Sequence, residues 1–391
     1  MIVKYEQGLQ RIPIKRWLED VEDSAWQQAL NLSNLPFTFS HIALMPDCHS
    51  GYGMPIGGVM ATKGVIVPNA VGVDVGCGMC AVKTPWKIEE IDKVVLKKIM
   101  GIIRKVIPVG FNKHKEPQNK KYMPDPFCSL VVEKEYDNAL CSLGTLGGGN
   151  HFLEIQKDTE GFVWIMIHSG SRNLGKKVAE YYNKLAIILN EKYHSSVPTN
   201  FQLAFLPMDT NIGMDYEMDM NFCVEFALKN RMLMIERIAE TFDKVMSSNK
   251  IDLSQVINIA HNYARMEHHF GENVMVHRKG ATSARKDEIG IIPGSQGSKS
   301  YIVKGLGNVQ SFTSCSHGAG RKMSRKSASE NLNLEEEIKK LDDQGIIHSI
   351  RHKNDLDEAD GAYKDIKTVM ENQSDLVEIV TELSPLAVVK G

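Results

Sequence analysis

The chain has 391 residues, 42% of them apolar, and carries 46 basic and 48 acidic side chains for a formal net charge of −2. That length exceeds one typical domain but allows a single large body with a sizeable core. The small net charge excludes capture of nucleic acid through the overall field, so any such partner would be held by local patches. No apolar run reaches the roughly eighteen residues of a membrane span, and the N-terminal MIVKYEQGLQRIPIKRW lacks a signal-peptide core. A cytoplasmic (cytosolic) protein without membrane association is expected. Seven scattered cysteines do not form a disulfide framework. In a reducing compartment they are packing residues, metal ligands or nucleophiles.

In chain order, residues 41–67 (HIALMPDCHSGYGMPIGGVMATKGVIV) carry Pro46, Asp47, His49 and glycines at 51, 53, 57 and 58. So many breakers predict a loop, either lining a site or making an ordinary turn. Residues 69–81, NAVGVDVGCGMCA, are the densest stretch. Val71, Val73 and Val75 alternate with smaller or polar residues, the period of a half-buried strand. Asp74 and Cys77 have opposite parity, which would send them to opposite faces of a straight strand. Gly76 and Gly78 allow a turn that brings both to one point. A carboxylate and a thiolate meeting there suggest a divalent metal that accepts mixed ligands, such as manganese or zinc.

Residues 88–106 have helical spacing. Residues 110–126, GFNKHKEPQNKKYMPDP, predict a mobile, lysine-bearing surface loop. In 143–155, LGTLGGGNHFLEI, three glycines lead into a strand with His151, Leu153 and Ile155 on one face and Phe152 and Glu154 on the other. A second strand in 162–175, FVWIMIHSGSRNLG, puts His168 in phase with Phe162, Trp164 and Met166. Two histidines at the ends of neighbouring strands strengthen the case for a metal. Helices are predicted over 176–192 and 216–246, the latter with a core stripe of Met218, Met220, Met232 and Met234.

The segment 259–270, IAHNYARMEHHF, reads as helix or loop and adds His261, His268 and His269, of which one is a candidate ligand. On a helix, positions 261, 265 and 268 would share a face. Within 277–305, the Pro-Gly-Ser-Gln-Gly-Ser run offers a phosphate or nucleobase cradle. In 311–328, SFTSCSHGAGRKMSRKSA, His317 precedes Gly-Ala-Gly and the cations Arg321, Lys322, Arg325 and Lys326. Guanidinium forks suit phosphate, while the bland alternative is a basic surface turn with a structural histidine. Helices at 332–341 and 366–383 close the chain. Neither repeat nor linker divides it, so residues 1–391 are expected to form one body.

Nine segments then stand in register: MPDCHSGYGMPIGGV, GVDVGCGM, LGGGNHFLEI, HSGSRNLG, AHNYA, HRKGAT, PGSQGSKSYIV, SHGAGRKMSR and the terminal AVVKG. Each is weak alone; together, from about residue 40 to the C-terminus, the chain resembles the RtcB family of RNA ligases. The resemblance implies that family's own α+β architecture, with central β-sheets flanked by helices. It implies a GTP-dependent ligase with two manganese ions (Mn2+), joining an RNA 3′-phosphate or 2′,3′-cyclic phosphate end to a 5′-hydroxyl end. Asp74, Cys77, His151, His168 and His261 would be the metal ligands, with Cys77 bridging. His317 would be the nucleophile that becomes guanylylated on the way to an RNA-(3′)pp(5′)G intermediate.

The guanylate pocket so implied comprises Asn150, His151, Phe152, Leu153, Glu154, His261, Asn262, Ile291, Ile292, Pro293, Gly294, Ser298, Gly318, Ala319, Gly320, Tyr363 and Lys390. Candidates for RNA or triphosphate contacts are Asp47, His49, Arg172, Lys279, Arg321 and Arg325. The residue chemistry agrees at Glu154, an acceptor matched to the N1–H and N2–H₂ donors of guanine, a pair that adenine lacks. An accessory activating protein is a candidate partner, and a monomer is expected. Three positions depart from the family pattern: Cys48 for a commoner aliphatic residue, Asn173 for a commoner glycine, and Cys80, which makes a Cys-x-x-Cys with Cys77. The rivals are a zinc or thiol-redox module on that pair, a metal-dependent phosphoesterase or end-capping enzyme, and a non-catalytic RNA binder. The first leaves the histidines unexplained and lacks a second Cys-x-x-Cys.

Overall fold

Alternating β-branched residues build two large sheets, and the glycine-rich turns between their strands gather where the sheets adjoin. The computed structural model describes residues 1–125, 129–247 and 249–391. The larger sheet runs Ile257–Ala260, Gly78–Lys87, Phe162–Ser169, Phe152–Asp158, Val377–Lys390, Ser300–Gly305, Ile289–Ile292, all neighbours antiparallel. The smaller runs Ile2–Lys4, Ile14–Arg16, Thr38–His49, Ile56–Thr62, Glu272–Lys279, Asn262–His269, with its second and third strands parallel. Ala260 ends an edge strand of one sheet and Asn262 begins an edge strand of the other. His261 is therefore the junction between them. The architecture is α+β, as the family resemblance implied.

One face of the larger sheet packs Leu153, Ile155, Ile165 and Ile167 against the helices Lys93–Val106 and Asn211–Met246. Asp92 caps the first helix, its carboxylate accepting from the N–H groups of Val94 and Val95, both at 2.8 Å. The opposite face carries Met79, Trp164, Met166 and Ile302, with Phe152 against them. Strand parity thus separates core from pocket as expected at 152–155. In the long helix, Met220 and Met234 are wholly buried, whereas Met218 lies at the surface.

Several predicted elements are corrected. Residues 366–383 are not one helix: Ile366–Glu371 is helical, and Val377–Lys390 is a strand inside the larger sheet. Its β-branched Val377, Ile379, Val380, Thr381, Val388 and Val389 suit a strand, and Pro385 is accommodated at a bulge between Pro385 and Ala387 because it has no N–H to give. The valines at 71–75 do not form a strand either. Pro68–Val71 is a short helix, a turn follows, and the strand starts at Gly78. Pro46, Asp47 and His49 end a strand, not a loop, where its register with Ile56–Thr62 is interrupted. Residues 259–270 are two strands, so 261, 265 and 268 share no helical face. Apart from these corrections, the 110–126 segment includes a short helical turn at Lys120–Tyr122, with His114 N–H donating to Cys141 O (3.0 Å) and Gln118 N–H to Leu140 O (3.2 Å). Its last residue, Pro126, lies outside the described residues.

Two polar residues in the middle of the long helix fix the turns. Asn230 accepts from the N–H groups of Gly144 (2.7 Å) and Thr145 (3.2 Å) and donates to Thr145 O (3.2 Å) and Gly170 O (3.3 Å). Arg231, fully buried, donates to Gly76 O (3.1 Å), Ser169 O (2.8 Å), Ile259 O (3.2 Å) and Asn258 Oδ1 (2.8 Å). Replacing Arg231→Met would leave three buried carbonyls without that donor. We expect a loss on the order of 3 kcal/mol in unfolding free energy by urea titration; a midpoint equal to that of the unmodified protein would contradict this account.

Candidate metal centre and nucleotide pocket

The turn that carries Asp74 and Cys77 is made by glycines with no room for a side chain. Gly76 has φ +79°, and a Cβ there would meet Cys223 O at 2.8 Å. At Gly78 a Cβ would lie 1.9 Å from Ile259 O. Asn262 stitches the turn to the neighbouring strand, donating from Nδ2 to Asp74 O (3.0 Å) while His261 N–H donates to Cys77 O (2.8 Å). The two side chains that strand parity would have separated are thereby brought to one point.

Two donor groups result. The ligand atoms of Cys77, His168 and His261 lie within 4.8 Å of one another, and so do those of Asp74, Cys77 and His151. Cys77 belongs to both. Its Sγ is 3.2 Å from His168 Nε2 and 3.4 Å from His151 Nε2, and the latter is 3.3 Å from Asp74 Oδ2. His168 Nδ1 lies 3.0 Å from the carbonyl of Asn150, to which it donates, so Nε2 keeps the lone pair that faces the cluster. Nδ1 of His261 is buried without a partner among the described residues. An orphaned imidazole nitrogen on a ring grouped with a thiol and a second imidazole fits a metal-binding centre.

The electrostatics point the same way. Burial lowers His168 to about 3 and His261 well below the ordinary range, keeping both in the neutral ligand form. Burial works to raise Asp74, but its contacts with His151 outweigh this and hold it down at about 2. Burial and then Asp74 push the Cys77 thiol up, against the pull of Arg231. Cys80, raised to about 12 by burial, points into the core with Val82 and Ile167, away from the cluster.

Next to this centre stands His317, its ring centroid 4.8 Å from that of His261. Asp47, fully buried, has Oδ2 2.6 Å from His317 Nδ1 and 3.0 Å from its backbone N. Burial raises the Asp47 carboxyl, but the His317 charge and hydrogen bond more than offset it, leaving it below its ordinary value. An ionised Asp47 accepts only, so Nδ1 carries the proton and Nε2 is the basic nitrogen.

A cavity of about 410 Å³ opens in front of His317, lined by His49, Asn150, Phe152, His168, Pro293, Gly294, Gly318, Ala319, Gly320, Arg321, Arg325 and Tyr363 among others. It continues past Asn150, Phe152, Gly294 and Tyr363 into a narrow cleft of about 30 Å³ reaching His151, Glu154, Ser295 and Lys390. Glu154 is buried and pushed up to about 8 by that burial, partly opposed by Gln156 Nε2 at 2.7 Å.

The remaining expected residues are core side chains or are engaged with other protein groups. Leu153, Ile291 and Ile292 are core side chains. Ser298 Oγ accepts from Ser295 N–H at 2.7 Å, shaping the Gly294 turn. Arg172 donates to Thr145 Oγ1 (3.0 Å) and Gly110 O (3.2 Å) beside His151. Lys279 is buried, donates to Tyr52 O (2.6 Å) and Asn69 O (3.1 Å), and is lowered to about 7. His49, near Asp47 O at 2.9 Å, is lowered by burial to about 4. Arg321 and Arg325 both pair with Glu358, at 2.7 and 2.6 Å. Glu358, Asn230 and Arg231 were not singled out in the sequence. The signal for the last two was a polar pair amid the apolar positions of a predicted core helix.

A family model described as tRNA-splicing ligase RtcB matches residues 28–127 and 115–391. The chain is 39% identical to the RNA-splicing ligase RtcB of Escherichia coli, over 97% of each chain. It is 34% identical to RNA-splicing ligase RtcB homolog 1 of Entamoeba dispar, over 94% of this chain and 82% of that one. Against the tRNA-splicing ligase RtcB of Methanococcus maripaludis the figures are 32%, 95% and 92%.

Because Cys77 belongs to both donor groups, Cys77→Ala is expected to abolish binding at both, whereas His151→Ala or His261→Ala should each impair one. Metal content after dialysis against manganese checks this, with Cys80→Ser as the neutral comparison. Full metal retention by Cys77→Ala would refute a shared thiolate.

Proposed function

The chain belongs to the RtcB family of RNA ligases, and from that premise we propose that it joins RNA 3′-phosphate or 2′,3′-cyclic phosphate ends to 5′-hydroxyl ends using GTP and manganese. The supporting observation is the succession Asp47–His317–His261: a buried carboxylate fixes one imidazole between a metal-binding cluster and a nucleotide-sized cavity. Metal ions held by Asp74, Cys77, His151, His168 and His261 would supply charge neutralisation and Lewis acidity.

With its proton held on Nδ1, His317 attacks the α-phosphorus of GTP through Nε2. An N–P bond forms, the bridging P–O bond to the β-phosphate breaks, and pyrophosphate leaves. Asp47 stabilises the positive charge that develops on the ring. A phosphate oxygen at the RNA 3′ end then attacks the same phosphorus, freeing His317 and forming RNA-(3′)pp(5′)G. Attack of the 5′-hydroxyl oxygen on the RNA phosphorus forms the phosphodiester and expels GMP. A cyclic end must first be opened by hydrolysis. Glu154 accepts from the guanine N1–H and N2–H₂ edge, while Tyr363 and Phe152 line the pocket that holds the base. The names of the relatives suggest transfer-RNA splicing as the setting, and RNA repair presents the same ends.

Incubation with manganese and α-phosphate-labelled GTP should label the protein, with an acid-labile, alkali-stable bond that is lost in His317→Ala. An unlabelled protein that nevertheless binds manganese and GTP would favour a phosphoesterase instead. A second expectation concerns pH. With Glu154 raised to about 8, the nucleotide-free site is mostly protonated at neutral pH, whereas guanine needs the carboxylate. Binding then releases a proton, so GTP affinity should rise by up to about tenfold per pH unit towards pH 8 and level off above it. Glu154→Gln should flatten that part of the profile and weaken selection against ATP; an unchanged profile and selectivity would remove the assignment.

A further inference from the structure

Phe111 is 103% exposed, more than any other large apolar side chain among the described residues. Its backbone is nevertheless held in place. Gly110 N–H donates to Gly147 O (2.8 Å), Asn112 N–H to Val109 O (3.2 Å), and Arg172 Nη2 to Gly110 O (3.2 Å). Two residues on, Arg237 Nη1 binds His114 Nε2 at 2.8 Å. The glycine turn on which Gly110 rests leads directly into Asn150 and His151. A Cβ on Gly148 would lie 3.5 Å from Gly110 Cα, and one on Gly147 would collide with Arg172 and His151. From the metal cluster outward the order is therefore His151, Arg172, Gly110, Phe111. Lys113 and Lys115 follow, both exposed.

We propose that Phe111 is a stacking platform for an unpaired nucleobase of the RNA being joined, with Arg172, Lys113 and Lys115 beside the adjoining phosphates. This rests on the ligase assignment above and adds a subsite to it. Flanked in sequence by Gly110, Asn112 and Lys113, the exposed ring lacks among these neighbours the apolar core of a protein interface. An exposed aromatic ring on a held backbone, next to a cationic path, suits single-stranded nucleic acid, because every base offers a π-face. The phosphate contacts make the binding sensitive to salt.

The test uses Phe111→Ala and Phe111→Trp in the full chain, with oligoribonucleotides bearing 3′-phosphate and 5′-hydroxyl ends. Phe111→Ala should raise the KM for RNA about tenfold while kcat stays within about twofold. Its thermal midpoint should match that of the unmodified protein, since the side chain is fully exposed among the described residues. Phe111→Trp should keep the KM, and its added fluorescence should be quenched by RNA without GTP, less so at higher salt. An unchanged RNA KM in Phe111→Ala, with no quenching in Phe111→Trp, overturns the proposal. The fluorescence titration needs no turnover. Quenching in a protein that joins no RNA would therefore support the subsite and refute the ligase assignment instead.

Discussion

The candidate metal centre depends on a guanidinium that makes no hydrogen bond to the side chains of Asp74, Cys77, His151, His168 or His261. Arg231 donates to the carbonyls of Gly76, Ser169 and Ile259, each within two residues of Cys77, His168 or His261. Three separate chain segments are thus referred to one rigid side chain on the long helix. Its planar fork fixes direction as well as distance, which a lysine ammonium would not. Burial lowers Arg231 to about 10, which leaves it charged at neutral pH. The same charge favours the Cys77 thiolate, opposing the burial that pushes the thiol up. One residue thus bears on both the geometry and the ionisation of the cluster.

The neighbouring pocket is coupled to the cluster through the paired strands Phe152–Asp158 and Phe162–Ser169. Phe152 lies opposite His168, and His168 Nδ1 is 3.0 Å from the carbonyl of Asn150, whose residue lines the cavity. A change in the ring of His168 is therefore felt at the first residues of the adjoining cavity. On the far side, Asp47 comes from the smaller sheet and His317 from the turn after Ser314–Ser316. The candidate site lies where the sheets adjoin because each sheet supplies part of it.

The sequence motifs made the cluster legible through ligand types at glycine turns and the strand parity of His151 against Phe152 and Glu154. Parity failed where packing outweighed local pattern. The valines at 71–75 alternate as a strand would, yet Pro68 starts a helix and Gly72, at φ +95°, ends it. The helix expected over 366–383 stops at Glu371, and its second half belongs to the strand Val377–Lys390. In the sheet Glu378 lies near Lys304 of the adjacent strand, and Glu382 near Lys299 just before it. The partnership of Asp47 with His317 joins positions 270 apart in sequence and is visible only in three dimensions. The roles of Arg231 and Glu358 likewise depend on carbonyls and cations brought together by the fold.

Glu358 alters how the cations around the cavity are to be understood. Its carboxylate accepts from Arg321 Nη1 (2.7 Å), Arg325 Nε (2.6 Å) and the Tyr363 hydroxyl, while Lys390 pairs with Asp357. Arg321 Nη2 also donates to Asp357 O at 2.6 Å. These groups are therefore already engaged in charge-assisted bonds before any phosphate arrives. An incoming anion must exchange with a carboxylate rather than fall into an unopposed positive field. Exchange reduces the gain for a single phosphate and favours ligands that replace several bonds together. A triphosphate or an RNA end meets that condition; inorganic phosphate does not. Selectivity then comes from the number and spacing of anionic oxygens, consistent with a chain whose net charge is close to zero.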